Sequence, residues 1–527
     1  MIEAWSTTQV YAAEAALMAT LDPTPTGDGD GELMGRAVRG LAAVLTARLA
    51  APGARSVVAL VGAGNNGADA LYASARLARA GHLVAAVHGS QVHERALAVA
   101  LAAGVVIAAG ASEESLDLIR EADVILDGIV GIGGRPGLPA YAQPWVAAIP
   151  DAAYVLAVDL PSGQDPSGEV LDPDGVFADE TVTFSVAKPV HLLPPTEQTV
   201  GLLTVVDIGL ALPQPDPALA TARVRRLTRA DVAPLWPTPG PGDDKYSRGV
   251  LGIVAGGESY SGAAVLACLA AVEAGVGMVR YVGTPTPEGL VRAAVPEAVH
   301  GPGQVSAWLI GPGLDVTASG AAADRQLASA RAALAGADPV VLDAGGLDLL
   351  TGPRAAPTLL TPHAGECARL LTRLGADSGG VTRANAKTSR IEAEPWANAR
   401  SFVGAGEVTR AMVTAAPLRY AAALADLTGA TVLLKGSTTL IVSPAPSSPV
   451  YSQGPAPAWL ATAGSGDVLA GLAGTLLAAG LPPAPVGALA ALVHGLAADE
   501  ANPGGPVRAA ALAHGIPRAV AAARRDR

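Results

Sequence analysis

The sequence is poor in aromatic side chains and has no long apolar run. Aromatic residues make up 3% of the 527 residues, whereas half of the chain is apolar, so small side chains such as alanine must provide much of the packing. We therefore expect helices to lie close to sheets. The longest apolar runs, 96–110 and 468–481, are shorter than the roughly 20 residues that span a bilayer. They argue against a membrane partner.

Cysteine and basic charge are also scarce. The two cysteines, Cys268 and Cys367, lie far apart in apolar helical patterns, which favours buried thiols over a disulfide or a metal site. The net charge of -12 and the lack of a clustered basic face argue against a nucleic-acid partner. The first residues lack a basic segment followed by an apolar core, so we expect no signal peptide and a cytoplasmic location.

Lysine and asparagine are rare in the same way. Only four of the 35 basic residues are lysines, and two of the five asparagines are adjacent at Asn65-Asn66. Arginine and lysine differ in shape and hydration, so a chain that favours arginine keeps lysine where arginine would not serve. This scarcity draws attention to Lys188 and Lys435 without assigning them a role.

The length of the chain predicts two or three domains, each large enough to bury its own core. Strand and helix patterns alternate in both halves, which is typical of α/β domains. A proline-rich stretch at 212–217 interrupts both patterns. We expect a first domain at 1–212, a linker at 213–224 and a second domain at 225–527.

A strand, a glycine turn and a helix follow one another early in the first domain. The strand 56–61 leads into the turn 62–69, and a helix at 70–80 follows. The turn fits the glycine pattern of dinucleotide-binding sites, but the next strand does not end in the acidic residue that this pattern requires. Asn65, Asn66 and Asp69 instead offer oxygen ligands for a hard monovalent or divalent cation. A tightly packed turn without a ligand is the alternative.

Two aspartates follow later strands of the same domain. Asp127 ends the strand pattern 124–126, and Asp159 ends the pattern 155–158. Ligands of parallel sheets bind at the carboxyl ends of strands, so both carboxylates should line one crevice with the asparagine turn. Lys188 and His191 are expected at its rim, although His191 also fits a surface position.

Two motifs in the second domain predict a nucleotide site. A glycine loop at 462–466 opens an apolar helix, and a helix start of this kind attracts phosphate. Asp467 beside it could take a proton from a hydroxyl that attacks the phosphate. Lys435, in the turn after the strand 431–434, strengthens this interpretation, because the glycine loop alone is equally typical of close packing.

Two other segments are harder to interpret. His363 follows a strand and a proline, so it fits a structural turn, although its place at a strand end favours substrate contact. Residues 375–416 are polar and irregular and contain Lys387, Trp396 and Phe402. We interpret them as an inserted segment of unknown role.

Together these motifs resemble a known pair of domains. In the first half, the motifs that resemble an NAD(P)H-hydrate epimerase domain are Val-Gly-Ala-Gly-Asn-Asn-Gly-Ala-Asp at 61–69, Asp127 with its glycine loop, and Asp-Leu-Pro-Ser-Gly at 159–163. In the second half, the motifs that resemble an ADP-dependent NAD(P)H-hydrate dehydratase domain are Lys-Tyr-Ser-Arg-Gly at 245–249, Thr-Pro-His-Ala-Gly-Glu at 361–366, Lys-Gly-Ser-Thr-Thr at 435–439 and Ala-Gly-Ser-Gly-Asp at 463–467. The resemblance implies a Rossmann-like three-layer α/β/α domain followed by a ribokinase-like α/β domain.

The resemblance also implies the residues of both sites. In the first domain the residues implied to contact the hydrated cofactor are Asn65, Asn66, Gly67, Ala68, Asp69, Gly131, Ile132, Gly133, Gly134, Arg135, Pro136, Gly137 and the catalytic Asp159. A potassium ion would be held by Asn66, Asp127 and Ser162. In the second domain the implied contacts with the hydrate or the adenine nucleotide are Ala263, Gly313, His363, Lys435, Gly436, Ser437, Thr438, Thr439, Gly466 and the catalytic base Asp467.

The implied activity is nicotinamide nucleotide repair. Water added at ring carbon 6 of NADH or NADPH gives R and S hydrates, NADHX and NADPHX, that no longer donate hydride. An epimerase (an isomerase) would interconvert the two hydrates. A dehydratase (a lyase) would phosphorylate the S hydrate from ADP with Mg2+ and release NAD(P)H, AMP and phosphate. We also expect a homo-oligomer.

The sequence departs from the family pattern at three places. Ala68 replaces the second glycine of Asn-Asn-Gly-Gly-Asp, which requires a negative φ there. Gly345 replaces the second aspartate of Asp-Ala-Asp, and the segment 375–416 is longer than usual. The alternative functions are a small-molecule kinase of the vitamin or sugar type and a catalytically silent first domain that binds nucleotides or proteins.

Overall fold

The computed structural model describes residues 1–50, 56–210, 224–377, 407–445, 448–454 and 456–525. The chain forms two compact units, one of Glu3–Val224 and the other of Arg225–Arg527 together with Met1–Ile2. All but the last residue of the predicted linker lies outside the described residues, and so do 378–406 of the predicted insert.

The first unit contains a seven-stranded, fully parallel sheet. Its strands, in spatial order, are Val106–Ala109, Leu83–His88, Ser56–Val61, Val124–Gly128, Tyr154–Val158, Glu180–Phe184 and Leu202–Val206. Its helices are Thr7–Met18, Glu32–Leu49, Asn65–Arg79, Glu94–Ala102, Glu113–Arg120, Gln143–Ala147 and Pro189–Leu192, with a 3-10 turn at Thr196–Thr199.

Alternate residues of the strand Ser56–Val61 enter two separate cores. Val57 and Ala59 belong to one apolar cluster, whereas Val58 and Leu60 belong to the other. Successive side chains of a strand point to opposite faces, so both faces of the sheet are covered. The first unit therefore has three layers, with the sheet in the middle.

Two helix starts of the first unit follow from local sequence. Ser6 accepts a hydrogen bond from the backbone of Gln9, whose side chain bonds back to the Ser6 backbone, so a capping box begins the helix Thr7–Met18. The helix predicted at 70–80 begins five residues earlier, at Asn65. That prediction was wrong because Asn65 and Asn66 form the first helical turn rather than a loop.

The second unit is built on a larger, mixed sheet. Its strands, in spatial order, are Val224–Arg226, Val450–Gln453, Thr439–Val442, Thr431–Leu434, Thr358–Leu360, Val340–Leu342, Ala307–Ile310, Val250–Val254, Met278–Val282 and Val299–His300. The pairs from Thr431–Leu434 to Val299–His300 are parallel, and Thr431–Leu434, Thr439–Val442 and Val450–Gln453 pair antiparallel. A short strand, Ile2–Ala4, stands at the start of the chain.

The helices of the second unit pack through small side chains. They are Arg229–Leu235, Ser261–Glu273, Pro285–Ala294, Ala321–Ala335, Ala364–Asp377, Arg410–Ala415, Pro417–Thr428, Ser465–Ala478, Pro483–Ala501 and Ala509–Arg525, with 3-10 turns at Ala344–Leu349 and Ala458–Leu460. At Gly471 a Cβ atom would lie 2.3 Å from the carbonyl oxygen of Ala267, so only glycine allows this approach of two helices. The expected close packing is thus observed.

The structure agrees with the expectation of buried thiols. Cys268 and Cys367 are free and fully buried, and burial raises the pKa of both thiols. Among the described residues no helix is both long and apolar enough to cross a membrane. The predicted class, two α/β domains, is confirmed by the two sheets and their covering helices.

Candidate active sites

The first candidate site lies at the carboxyl ends of three neighbouring strands of the first unit. Asn66 stands in the first turn of Asn65–Arg79, and its side-chain nitrogen donates to the carbonyl oxygen of Val158 at 2.7 Å. Asp127 belongs to the strand next to Val158, and Asp159 follows Val158 directly. The structure therefore brings the asparagine turn and both predicted aspartates together.

Asp127 is fully buried among neutral donors. It accepts from the backbone and the hydroxyl of Ser162, at 2.8 and 2.6 Å, and from the backbone of Ile129 at 3.2 Å. Burial raises the pKa of Asp127 to about 6 although these hydrogen bonds act in the opposite direction. No salt bridge to Asp127 occurs within the described residues.

Asn66, Asp127 and Ser162 suit a monovalent cation. All three present oxygen atoms, which hard cations prefer. The amide oxygen of Asn66 faces the backbone of Gly131, where a Cβ atom would lie only 2.7 Å from it. Only one of the three groups is a carboxylate, and no cluster of three or more metal-binding His, Cys, Asp or Glu occurs in the described part of the chain. The donor set therefore fits potassium better than a divalent ion.

Asp159 is held by a buried lysine. Its Oδ1 lies 2.5 Å from Lys188 Nζ and accepts from the Thr183 hydroxyl at 3.0 Å, and Lys188 also donates to that hydroxyl. Burial alone would raise the pKa of Asp159, but Lys188 holds it below its usual value. Asp159 also has a positive φ of 68°, a conformation that costs a non-glycine residue energy and often marks a functional site.

The ring of His191 is hydrogen-bonded to the backbone of both residues of this pair. Its Nδ1 accepts from the backbone of Lys188 at 3.0 Å, so its Nε2 carries the proton and donates to the carbonyl oxygen of Asp159 at 2.7 Å. Burial and Lys188 lower the pKa of His191 to about 4, so the ring is neutral. The alternative of a surface position for His191 was wrong, because the residue is buried.

The predicted contact loop 131–137 passes over the asparagine turn and the N-terminal helix. A Cβ atom at Gly131 would meet Asn66, and one at Gly133 would lie 2.8 Å from the hydroxyl of Tyr11. Ile132 and Gly134 are half-buried, whereas Arg135, Pro136 and Gly137 are exposed. The glycines thus allow the loop to lie close to the site.

One more buried carboxyl group, that of Asp69, belongs to this site. Asp69 is nearly buried, and its Oδ1 has no hydrogen-bond partner among the described residues. Burial and the charges of Asp159 and Glu14 raise the pKa of Asp69 well above its usual value. Ala68, beside it, lies within the helix with a negative φ, so the departure from the family glycine is tolerated.

The second candidate site has Lys435 at its centre. Lys435 follows the strand Thr431–Leu434 in the turn of an antiparallel hairpin, and its Nζ lies 2.8 Å from Asp343 and 3.8 Å from Glu366. Burial alone would lower the pKa of Lys435, but the two carboxylates hold it above its usual value. At Gly345 a Cβ atom would lie 2.0 Å from the carbonyl oxygen of Leu314, so no second carboxylate fits there.

Asp467 lies in the first turn of the helix Ser465–Ala478. Gly464 adopts a left-handed conformation that joins the loop to the helix, and a Cβ atom at Gly466 would lie 3.6 Å from Lys435 Nζ. The lysine therefore lies beside the helix start. Burial and the charge of Asp343 raise the pKa of Asp467 to about 7, although Lys435 acts in the opposite direction. This value suits a general base near neutral pH.

A cavity of about 510 Å³ lies beside Lys435 and the helix start. Of the predicted nucleotide contacts, those that line it are Lys435, Gly436, Ser437, Thr439 and Gly466. Thr438 and Asp467 are not among its lining residues. Apolar walls are provided by Leu227, Leu469, Leu492 and Leu496, and polar groups by Gln453, His494 and Asp499. A mostly apolar cavity with a few polar groups is typical of a small-molecule site.

The three residues predicted to contact the hydrate take different positions. Ala263 and Gly313 touch, since a Cβ atom at Gly313 would lie 2.8 Å from that of Ala263. His363 pairs with Lys435 in an isolated bridge and is exposed. Its Nδ1 accepts from the backbones of Gly365 and Glu366, and Glu366 accepts from the backbone of His363. His363 therefore caps a helix, and only Nε2 remains for a ligand.

Sequence reasoning gave no role to several residues of both sites. Asp343 pairs with Lys435, and Lys188 was placed only at the rim of the crevice although it pairs with Asp159. The scarcity of lysine was the signal for both pairs. His494 Nε2 donates a hydrogen bond to the carbonyl oxygen of Ser465, at the start of the helix Ser465–Ala478. Its isolation in an otherwise apolar segment was the available signal.

Both halves of the chain match known families. Residues 30–190 match the family model described as YjeF-related protein N-terminus. Residues 251–399 and 405–518 match the model described as NAD(P)H-hydrate dehydratase. The helix Thr7–Met18 lies outside both matches.

Similar proteins are found along nearly the whole chain. Over 502 residues it is 41% identical to the bifunctional NAD(P)H-hydrate repair enzyme Nnr of Mycobacterium tuberculosis (strain ATCC 25618 / H37Rv), with 91% of this chain and 89% of the relative covered. The corresponding Mycobacterium leprae enzyme is 39% identical over 522 residues, with 95% and 94% covered. An NAD(P)H-hydrate epimerase of Clavibacter michiganensis is 36% identical over 234 residues, which are 42% of this chain and 96% of the relative.

Among solved structures, an ADP/ATP-dependent NAD(P)H-hydrate dehydratase of Bacillus subtilis aligns at 23% identity and a TM-score of 0.45, with 57% of this chain and 99% of the other covered. The family models and the relatives of nearly full length decide the assignment. The chain belongs to the family of bifunctional NAD(P)H-hydrate repair enzymes, which confirms the predicted enzyme class and the Rossmann-like and ribokinase-like folds of its two domains.

Proposed function

We propose that this chain repairs hydrated NADH and NADPH in two steps, with an epimerase site in 1–212 and a dehydratase site in 225–527. The epimerase interconverts the R and S hydrates. The dehydratase transfers a phosphoryl group from ADP to the C6 hydroxyl of the S hydrate, and loss of phosphate yields NAD(P)H and AMP. Hydroxide is a poor leaving group, which is why phosphorylation must come first.

The observation that carries the dehydratase proposal is the position of Asp467. It lies at a helix start beside Lys435, and its pKa of about 7 allows it to accept the hydroxyl proton near neutral pH. Lys435 would contact the phosphates of the nucleotide in the neighbouring cavity, together with the Gly436–Thr439 turn and Gly466. Ala263, Gly313 and His363 would contact the hydrate, and Mg2+ would accompany the ADP as its counter-ion.

In the first site the hydrate would lie against the Asn65–Asp69 turn and the loop Gly131–Gly137, with its ring near Asp159. A potassium ion held by Asn66, Asp127 and Ser162 would supply positive charge at the strand ends. Asn66 is fixed by Val158, and Ser162 by Asp127, so these side chains are already oriented. Asp159, kept ionised by Lys188, would hold the substrate ring.

A mixture of R and S hydrates of NADH provides the test. The recovery of the near-ultraviolet absorbance of reduced nicotinamide is followed with ADP, with ATP and without nucleotide. Complete recovery that depends on ADP is expected, because both sites must act to consume both hydrates. Recovery that stops part-way would disprove the epimerase, and recovery only with ATP would disprove the choice of ADP.

A further inference from the structure

The first site contains more acid than its lysine can neutralise. Asp159, Asp69 and Glu14 all lie within electrostatic range of one another, and Lys188 is the cation whose charge acts on both Asp159 and Glu14. The three carboxyl groups come from different parts of the chain: Glu14 from the N-terminal helix, Asp69 from the helix Asn65–Arg79, and Asp159 from a strand end. Like charges in one site oppose one another, which favours the uptake of a proton by one of the groups.

Asp159 is the least suited of the three to move a proton. Its Oδ1 is held by Lys188 at 2.5 Å and by Thr183 at 3.0 Å, and its backbone oxygen is held by His191. Asp159 is buried, and these hydrogen bonds fix its position. A carboxylate that must remain an anion to balance a buried lysine cannot take up a proton without leaving that lysine unpaired.

Glu14 has the opposite properties. It is half-buried, and no hydrogen bond or salt bridge holds its carboxyl within the described residues. Burial and Asp159 raise its pKa, and the charge of Lys188 only partly offsets this. Glu14 lies one helical turn from Tyr11, whose hydroxyl touches the Gly133 segment of the contact loop. The helix face that carries both residues is therefore turned to the loop that would cover the substrate.

Asp69 is a second carboxyl with a raised pKa, but it is more enclosed. Its Oδ1 is buried without a hydrogen-bond partner among the described residues, so it is available to a bound ligand. Asp69 is buried within the helix Asn65–Arg79, whereas Glu14 is only half-buried. Glu14 is therefore the carboxyl that a substrate beneath the loop can reach more easily.

We infer that Glu14 is a catalytic residue of the epimerase and carries the proton to and from the C6 hydroxyl of the hydrate. This inference rests on the proposed function. The protonated Glu14 gives its proton to the hydroxyl as the C6–O bond breaks, while the lone pair of ring nitrogen N1 forms the C6=N1 bond. The released water, or another, then adds to the opposite face of C6 as Glu14 takes a proton back, so atoms and charge balance.

The titratable groups around Glu14 determine the expected pH dependence. These are Tyr11 on its own helix, Asp69, Asp159 and Lys188. Because the protonated form of Glu14 begins the reaction, the epimerisation rate should fall as pH rises through the raised pKa of this group. Asp159 keeps its charge over the same range because its pKa is lowered.

The test uses the full-length chain with the purified R hydrate of NADH and no nucleotide, so that the dehydratase is idle, and follows the S hydrate by chromatography. E14Q should lower kcat about 100-fold or more, the usual contribution of a general acid, and remove the falling limb of the pH profile. E14D should keep part of the rate with a displaced limb. E94Q, which makes the same change at an exposed position of the same domain, should resemble the wild type.

Each result decides the matter. An E14Q chain with the wild-type rate, or with a lower rate and an unchanged pH profile, would overturn the role of Glu14. If E14Q and E14D both lose the activity and E14D shows no displaced limb, the loss reflects damage to the structure rather than to proton transfer. This result too would overturn the role of Glu14. A wild-type chain that leaves the R hydrate unchanged would overturn the proposed epimerase and this inference together.

Discussion

The two sites of this chain share a lysine–carboxylate pair but differ in how open that pair is. Lys188 and Asp159 are almost sealed, with 2% and 8% of their side chains exposed. Asp343 is equally buried, but its partner Lys435 retains 21% exposure beside a cavity of about 510 Å³. A lysine that must contact phosphates needs an open face, whereas a lysine that only fixes a neighbouring carboxylate does not.

Each site also contains a carboxyl group that its lysine does not bind directly. In the second site this group is Asp467, and in the first it is Glu14 or Asp69. In all three, burial raises the pKa. The comparison indicates that the two carboxyl groups of each site have different roles. The one paired with lysine stays ionised, and the unpaired one exchanges protons.

The largest expected effect is that of D467N on the dehydratase. Removal of a general base typically lowers a rate by about 100- to 10,000-fold. The variant should recover no measurable NADH from the S hydrate with ADP, because its amide cannot accept the hydroxyl proton. Conversion of the R to the S hydrate should be unchanged, since that activity belongs to the other site.

D324N is the matched control for this variant. Asp324 is exposed on the helix Ala321–Ala335, so the substitution makes the same change of charge in the same domain. It should leave the dehydratase rate at the wild-type value. A D467N chain with more than a tenth of the wild-type rate would contradict the role of Asp467 as the base.

The next expected effect is on stability, and it distinguishes the buried Lys188 from the partly exposed Lys435. K188M leaves Asp159 buried and unpaired, and breaking a buried pair in this way costs about 3–5 kcal/mol of stability. K435M should cost about 1–2 kcal/mol, because water can enter and replace the ammonium group at Asp343. Hydrogen exchange of peptides from each domain measures the two free energies of unfolding separately. Equal losses would show that the exposure of Lys435 does not matter.

Strand positions and strand-end residues could be predicted from sequence because both depend on local signals. The strand Ser56–Val61 and the strand Thr431–Leu434 have the predicted bounds, since continuous apolar runs are typical of buried parallel strands. Asp127, Asp159 and Lys435 then follow at strand ends, where parallel sheets bind ligands. No local signal in the sequence shows which helix will cover these strand-end residues.

The partners of these residues could not be predicted, because they come from distant parts of the chain. Asp343 and Lys435 are 92 residues apart, and Asp159 and Lys188 are 29 apart. Glu14 lies in a helix whose amphipathic pattern is weak, and only folding places that helix beside the loop 131–137. The asparagine turn was misjudged for a related reason: a glycine at the helix start looks like a loop in sequence.

The two activities should respond to pH in opposite directions. In its proposed role as a base, Asp467 is active only in its deprotonated form, and burial raises its pKa to about 7. The dehydratase rate should therefore fall about tenfold for each pH unit below 7, one proton being taken up. The epimerase, for which we infer a protonated Glu14 at the start of the reaction, should instead lose rate as pH rises. Both rates are measured in one preparation across the same buffers. Parallel profiles would contradict the different roles of the two carboxyls.

The smallest expected effect concerns potassium and sharpens the difference in cation use. In the second site the cation is a side chain of the protein, that of Lys435. The buried Asp127 of the first site, in contrast, has no basic partner among the described residues. Potassium at ten times its dissociation constant should stabilise the first domain by about 1.4 kcal/mol, because it binds the folded donor set only. The second domain should show no such change.

Hydrogen exchange in potassium chloride and in choline chloride of equal ionic strength measures this difference, since choline is too large for the site. N66A provides the matched control. It removes the amide oxygen that faces Gly131 while the Asp127–Ser162 pair remains, so potassium should no longer protect the first domain. Protection that persists in N66A, or that spreads equally over both domains, would show that potassium acts as a general salt.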